Sequence, residues 1–310
     1  MRDDADQLTM DDVWSRATAD PAALAALAGV TAWYLLGQAR RRRATGASQP
    51  RRTASFLVGV AVTIVAVAGP IAGWSAHLLW VHMVQHLLLT VVAAPLFAFG
   101  SPVSTLRLGL SPSTRSTVAG WSRRSRRLRR RLGDPPLLVV ATVVHIALTW
   151  LWHAPWLYDL AVRNAAVHAL EHVAFLGSAV WVWTEIVATA RRNRRTQALA
   201  TLCLAALIAT GGVLGALLTF AGRSVYDVYT GAGGMTALED QQFAGALMWV
   251  PPSFVYAIVA LRRFKSWIDR AEQELRARER QQRLAAEREA IGSVVGRPVA
   301  GDRSPSPPDA

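Results

Sequence analysis

One cysteine, Cys203, stands in 310 residues, and that scarcity removes two kinds of protein at once. No intramolecular disulfide can form, and no cysteine-based metal motif exists. Acidic side chains are also outnumbered: 34 Lys and Arg face 21 Asp and Glu, leaving a formal net charge of +13. No phosphate-cradling glycine loop stands ahead of a cytoplasmic helix, since Gly231, Gly233 and Gly234 read as a flexible outer turn. No nucleophile motif occurs in a setting that would activate it. The chain is therefore expected not to be an enzyme. Its first residues, Met1, Arg2, Asp3 and Asp4, lack the basic start of a cleavable signal peptide, so the first apolar block is expected to be retained as an anchor.

What is abundant is apolar sequence, 52% of the chain. It comes in long blocks separated by short arginine-loaded breaks. A hydrocarbon core about 30 Å thick takes roughly 20 apolar residues to cross as a helix, and several blocks reach that length almost without charge. The pattern predicts spans at 20–38, 53–69, 78–99, 135–153, 165–187, 198–221 and 240–261, the second open to extension through Pro70 and Ile71 to Trp74. The fold class is thus an all-α membrane protein, a bundle of about seven transmembrane helices.

The charge could suggest nucleic acid, but Arg40 to Arg43, Arg123 to Arg131 and Arg191 to Arg195 lie between apolar blocks. That is the placement of cytoplasmic loops, whose arginines can also touch anionic lipid headgroups; no nucleic-acid partner is expected. Segments 39–52, 101–134, 188–197 and 262 onward are basic, and they alternate with the non-basic 70–77, 154–164 and 222–239. The positive-inside tendency puts the N-terminus outside and the C-terminus in the cytoplasm. Trp74, Trp80, Trp150, Trp152 and Trp156 fall near the outer interface as anchors. Gly211, Gly212 and Gly215 form a small-residue stripe for close helix contact. Four regions follow: an acidic extracytoplasmic N-terminus (1–19), the membrane bundle (20–261), a charged cytoplasmic helix (262–291) with Glu272/Arg276, Glu274/Arg278 and Glu279/Arg283 pairs, and a disordered tail (292–310).

All seven histidines fall in or beside spans: His77, His82, His86, His145, His153, His168 and His172. With this orientation His168 and His172 lie roughly 5–11 Å below the outer end of the fifth span, and His145 about 12 Å below the end of the fourth. His82 and His86, and His168 and His172, are four apart, so each pair projects from one helix face. Were the third and fifth spans neighbours, four imidazoles could converge. Imidazole suits copper, zinc, iron and nickel, and it binds metal in its neutral form. A single intramembrane histidine such as His77 or His145 is more ordinarily a hydrogen-bonded or interfacial group. Glu171, between the paired histidines, reads either as a partner orienting them or as a group satisfying another polar neighbour. Met83 points away from His82, Met248 is better placed but equally suited to packing, and Cys203 is on the cytoplasmic side. Asp240 opens the last span, where it could ligate metal, pair with a histidine or favour the helix dipole.

Three blocks make a family resemblance visible. The first is His82, Gln85 and His86 leading into Ala94, Pro95, Gly100 and Pro102. The second is Trp152, His153 and Pro155 through Tyr158 and Asp159 to His168, Glu171 and His172, ending near Trp183. The third is Asp240, Gln241 and Gln242 with Gly245, Met248 and Trp249. Together, over residues 55–262, they resemble the multi-spanning CtaG family of cytochrome c oxidase assembly factors. Ala244 departs mildly, where a glycine is often expected.

The resemblance implies a multi-pass protein of the bacterial plasma membrane that helps mature a haem-copper oxidase, with cytochrome c oxidase subunits as partners and copper as the metal. It carries over His82, His86, His153, His168, His172 and Asp240 as candidate metal ligands. Two other readings stay open: a haem-binding electron carrier ligated by one histidine from each of two helices, and a metal or proton transporter. The transporter reading would need polar residues continuing inward. The spans read as uniformly apolar below His145 and Met248.

Overall fold

The long helices start where the sequence supplies a cap. Asp20 Oδ1 accepts the Ala22 N–H at 2.8 Å and Pro21 presets the first turn, so α1 spans Pro21–Thr45 and closes on left-handed Gly46, whose N–H reaches the Arg42 carbonyl. Pro50 opens α2, Pro50–Val67. The third span is α4, Leu79–Gly100, with π-helical turns over Leu88–Ala93. Then come α6, Asp134–Trp152, and α8, Ala165–Thr189, the latter started by Asn164 Oδ1 accepting the Ala166 and Val167 N–H groups. Helix α9 covers Arg194–Thr219 and α10 covers Ala237–Val295. The start of α10 is a capping box: Thr236 Oγ1 accepts the Glu239 N–H, and Glu239 accepts the Thr236 N–H at 2.8 Å.

This computed structural model describes residues 18–111, 134–189 and 194–295, with positions 113, 114, 116, 127 and 131 between them. The expected acidic N-terminus apart from Thr18 and Ala19, most of the arginine-rich stretch 123–131, residues 190–193 and the tail beyond 295 lie outside the described residues. Two compact units divide at Phe264 and Lys265. In the second, solvated i,i+4 pairs join Lys265 to Asp269 at 3.1 Å and Glu272 to Arg276 at 3.3 Å. Residues 292–295, expected to be disordered, are helical.

Among the described residues, six helices are long and apolar enough to cross a membrane, and a seventh span results if the bent pair of α6 and α7 (Pro155–Arg163) is one span. The protein is a multi-pass membrane protein, and its described residues are all-helical apart from one pairing of two-residue strands, β1 (Thr18–Ala19) with β2 (Ala68–Gly69). Its outward faces are apolar: Val58, Val65, Val173, Leu202, Leu217 and Phe254 are each at least half exposed, whereas His82, Glu171, Asp240 and Gln241 are almost completely buried. Such a surface suits hydrocarbon as the surrounding solvent.

Four details differ from the sequence reading. The second span does not extend to Trp74. Gly69 turns to φ 76 and Pro70 offers no N–H, so the helix stops at Val67 and a separate short α3, Pro70–Trp74, follows. The expected outer loop 154–164 is mostly helix, α7 (Pro155–Arg163), bent 76° from α6. The basic segment 101–134 opens with α5, Pro102–Gly109, whose last carbonyls are capped by the Arg40 guanidinium on α1. Finally, Gly215 alone of the glycine stripe makes a close contact, against Trp249 of α10, while Gly211 and Gly212 have nothing near among the described residues.

At the α9–α10 crossing, a Cβ on Gly245 would stand 2.7 Å from the Thr219 nitrogen and 2.8 Å from the Gly215 carbonyl. Backbone on both sides cannot yield. Gly245→Val is therefore expected to destabilise the bundle by about 1–3 kcal/mol. The one buried thiol, Cys203, supplies the readout: a thiol-reactive dye should report its exposure at a lower temperature in the variant.

Candidate metal centre

Helices α4 and α8 are neighbours, and this brings the two histidine pairs together. Trp183 on α8 donates its indole N–H to the Thr90 carbonyl at 3.1 Å, and Thr90 in turn donates to the His86 carbonyl. Thr90 sits in the π-helical turns of α4, where the shifted pattern of backbone bonding leaves carbonyls free for a neighbour. On the other flank Gln85 donates to the Ala66 carbonyl of α2 at 2.7 Å. Between these ties the imidazoles face inward. Ring centroids lie 4.4 Å apart for His82 and His86, 4.2 Å for His168 and His172, and 4.9 Å for His82 and His168. One nitrogen from each of the four lies within 4.8 Å of every other.

The distances suit an ion with modest adjustment. Metal–nitrogen bonds of about 2.0–2.1 Å in a tetrahedral site put the nitrogens roughly 3.3 Å apart. The Nε2 atoms of His82 and His86 are already 3.0 Å apart. Glu171 completes the group: its oxygens lie 3.7 Å from the Nε2 atoms of His82 and His86, and it is fully buried without a hydrogen-bond donor among the described residues. His168 and His172 each leave a buried Nε2 unpartnered among those residues as well. A buried carboxylate and buried imidazole nitrogens without partners are costly. A cation held among them would satisfy these atoms at once.

The tautomer of His82 can be read from its neighbours. Tyr229 donates its single hydroxyl proton to the Ser75 carbonyl at 2.9 Å, which can only accept. The contact of 3.0 Å between Tyr229 Oη and His82 Nδ1 must then be an Nδ1–H donating to the phenol oxygen. His82 Nε2 is left with its lone pair pointing to the centre. This is the outer hydrogen bond that commonly orients a metal-binding histidine. Burial pushes the Tyr226 and Tyr229 phenols above the usual tyrosine range, so both hydroxyls keep their protons. Tyr158 packs over the group, 5.1 Å from His82 and 4.2 Å from Tyr226 between ring centres.

The structure does not bring all six candidate ligands together. His82, His86, His168 and His172 converge. His153 is buried nearby at the end of α6, its ring 6.1 Å from those of Tyr158 and Phe175, and it is outside the four-histidine group. Asp240 has another task. Its two oxygens accept the Leu79 and Trp80 N–H groups at 2.8 and 2.9 Å, which caps α4 from α10 and fixes the depth of His82. Gln241 next to it accepts the Val225 N–H at 2.6 Å, and Gln242 donates to the Ala221 carbonyl. These bonds pin the loop that carries Tyr226 and Tyr229. Nothing in the sequence marked Tyr229, an aromatic in a loop; Glu171 was marked by its position one residue before His172. The half of the bundle away from the histidine group, expected to be uniformly apolar, is not, since Glu185 and Gln197 are buried there.

An all-helical membrane bundle with one buried knot of imidazoles and a carboxylate near its loops defines a class, the polytopic membrane protein built around an intramembrane polar centre. The chain belongs to the cytochrome c oxidase caa3 assembly factor family (Caa3_CtaG), whose family model matches residues 32–270 and so takes in every residue of the centre. No curated protein and no solved structure matches it. Membership ties the protein to cytochrome c oxidase.

Two outcomes follow from these bonds. Nitrogen NMR of histidine-labelled protein should show His82 as the Nδ1–H tautomer, and Tyr229→Phe should weaken that preference. Asp240→Ala, which strands two backbone donors, should lower stability by about 1–3 kcal/mol in thermal unfolding.

Proposed function

We propose that the protein binds a copper ion through His82, His86, His168 and His172, with Glu171 beside it, and hands it to a subunit of a haem-copper cytochrome c oxidase during assembly. The observation that carries this reading is the convergence of four imidazoles and a buried carboxylate without a donor among the described residues, in a member of an oxidase assembly family. Copper is cargo here, and the protein acts as a chaperone with no chemistry of its own. Imidazole is a suitable ligand for copper, and transfer requires that one or more of these ligands exchange as the ion leaves.

The same reading takes the arginine distribution at face value. Seven spans in a bacterial plasma membrane, with the N-terminus outside and the C-terminus in the cytoplasm, put the centre within a few helical turns of the outer surface. The basic loops then face anionic headgroups, and no nucleic acid is involved. An outer-side centre is well placed for delivery to an oxidase copper site that faces the outer aqueous phase. Haem ligation is less well supported: the four imidazoles surround one point, and a macrocycle between any two of them would have to displace the other pair.

Metal and pigment content of the detergent-purified chain tests the proposal. After Cu(II) reconstitution, the wild type should retain copper and show no Soret band, and His82→Ala/His172→Ala should lose it. Haem in place of copper, or neither, would overturn the reading.

A further inference from the structure

Beside the four-histidine centre, between α4, α6, α9 and α10, lies a cavity of about 90 Å³. Its volume is ample for an ion, since one water takes about 30 Å³ in the liquid. Its wall includes Met83, His86, His145, His153 and Met248. We propose that this cavity is a second metal site, formed by His145 Nε2 and the thioethers of Met83 and Met248, and that it takes a monovalent soft cation of the cuprous type.

Three features point there. The first is a set tautomer. Ser178 donates its hydroxyl proton to the Phe175 carbonyl at 3.2 Å, so it accepts from His145, whose Nδ1 lies 2.8 Å away. His145 Nε2 therefore carries its lone pair. His153, at the outer end of the same cavity, is set the same way: its Nδ1–H donates to the Thr149 carbonyl at 2.7 Å, and its buried Nε2 has no partner among the described residues. The second is softness. Met83 is buried, Met248 packs against the cluster that contains it, and both side chains line the cavity together with the imidazoles. The third is charge: among the described residues, no acidic side chain lines the cavity. A neutral lining of nitrogen and thioether ligands suits a soft monovalent ion, whereas the Glu171 centre next to it suits a harder divalent one.

His86 connects the two. Its Nε2 faces His82 and Glu171, while its Nδ1 is buried without a partner among the described residues and its ring also lines the cavity. A neutral imidazole has one lone pair, so His86 can serve either site but only one at a time. This shared role rests on the metal-handling reading of the four-histidine centre; the soft site itself does not.

Separate titrations of the detergent-purified full chain with Ag(I) and with Co(II) test the site. Wild type should bind two Ag(I) but one Co(II). His145→Gln/Met248→Leu should lose one Ag(I) and keep its Co(II) absorption, and His168→Gln/His172→Gln should lose Co(II) and keep one Ag(I). Equal Ag(I) and Co(II) stoichiometry in the wild type, or two Ag(I) retained by His145→Gln/Met248→Leu, would overturn the proposal. Failure of the four-histidine reading shows up differently, as no Co(II) binding in a wild type that still holds a Met248-dependent Ag(I). Should a variant not fold, selenium X-ray absorption of selenomethionine-labelled wild type decides: a silver neighbour to selenium is expected, and its absence contradicts the site.

Discussion

Glu171 is a carboxylate with no donor among the described residues, held 3.7 Å from two imidazole nitrogens inside a membrane bundle. Removing such a group from water costs several kcal/mol if it is charged and unpaired, and in hydrocarbon the protein has no water to offset that cost. The surrounding structure is arranged to hold the group in place. Trp183 locks α8 to the π-helical turns of α4, Gln85 ties α4 to α2, and Asp240 fixes where α4 begins. Each tie is a hydrogen bond between different helices, which gives a membrane bundle specificity that apolar packing against lipid cannot.

A second layer controls the chemistry of the nitrogens. Proton acceptors on the far side of His82, His145 and His153 hold Nδ1–H and leave Nε2 with its lone pair. Three separate elements supply them: the phenol of the loop between α9 and α10, a serine of α8 and a backbone carbonyl of α6. Three histidines set the same way, two of them beside the buried Glu171 or at the end of α6, are what the metal-binding reading rests on.

The helices and the pairing of histidines were legible because both rest on local spacing. Twenty apolar residues make a span, and residues four apart share a face. Even so, the break at Gly69 and Pro70 and the bend between α6 and α7 needed backbone geometry. The adjacency of α4 and α8, on which the centre depends, is a long-range fact that no local pattern encodes. Asp240 shows the limit best. Its type and depth fitted a ligand, but its partners are the backbone N–H groups of Leu79 and Trp80, about 160 residues earlier in the chain. Tyr229 lay in a loop with no periodicity, and its role emerges only through Ser75 and His82.

The most direct measurement on the centre is the electron paramagnetic resonance of the full chain loaded with one equivalent of Cu(II), an ion that favours nitrogen and oxygen ligands. Resolved coupling to several imidazole nitrogens is expected, reduced in His168→Gln/His172→Gln and kept in Asp240→Asn. A spectrum without nitrogen coupling, or one unchanged by the loss of His168 and His172, would contradict a metal centre between α4 and α8.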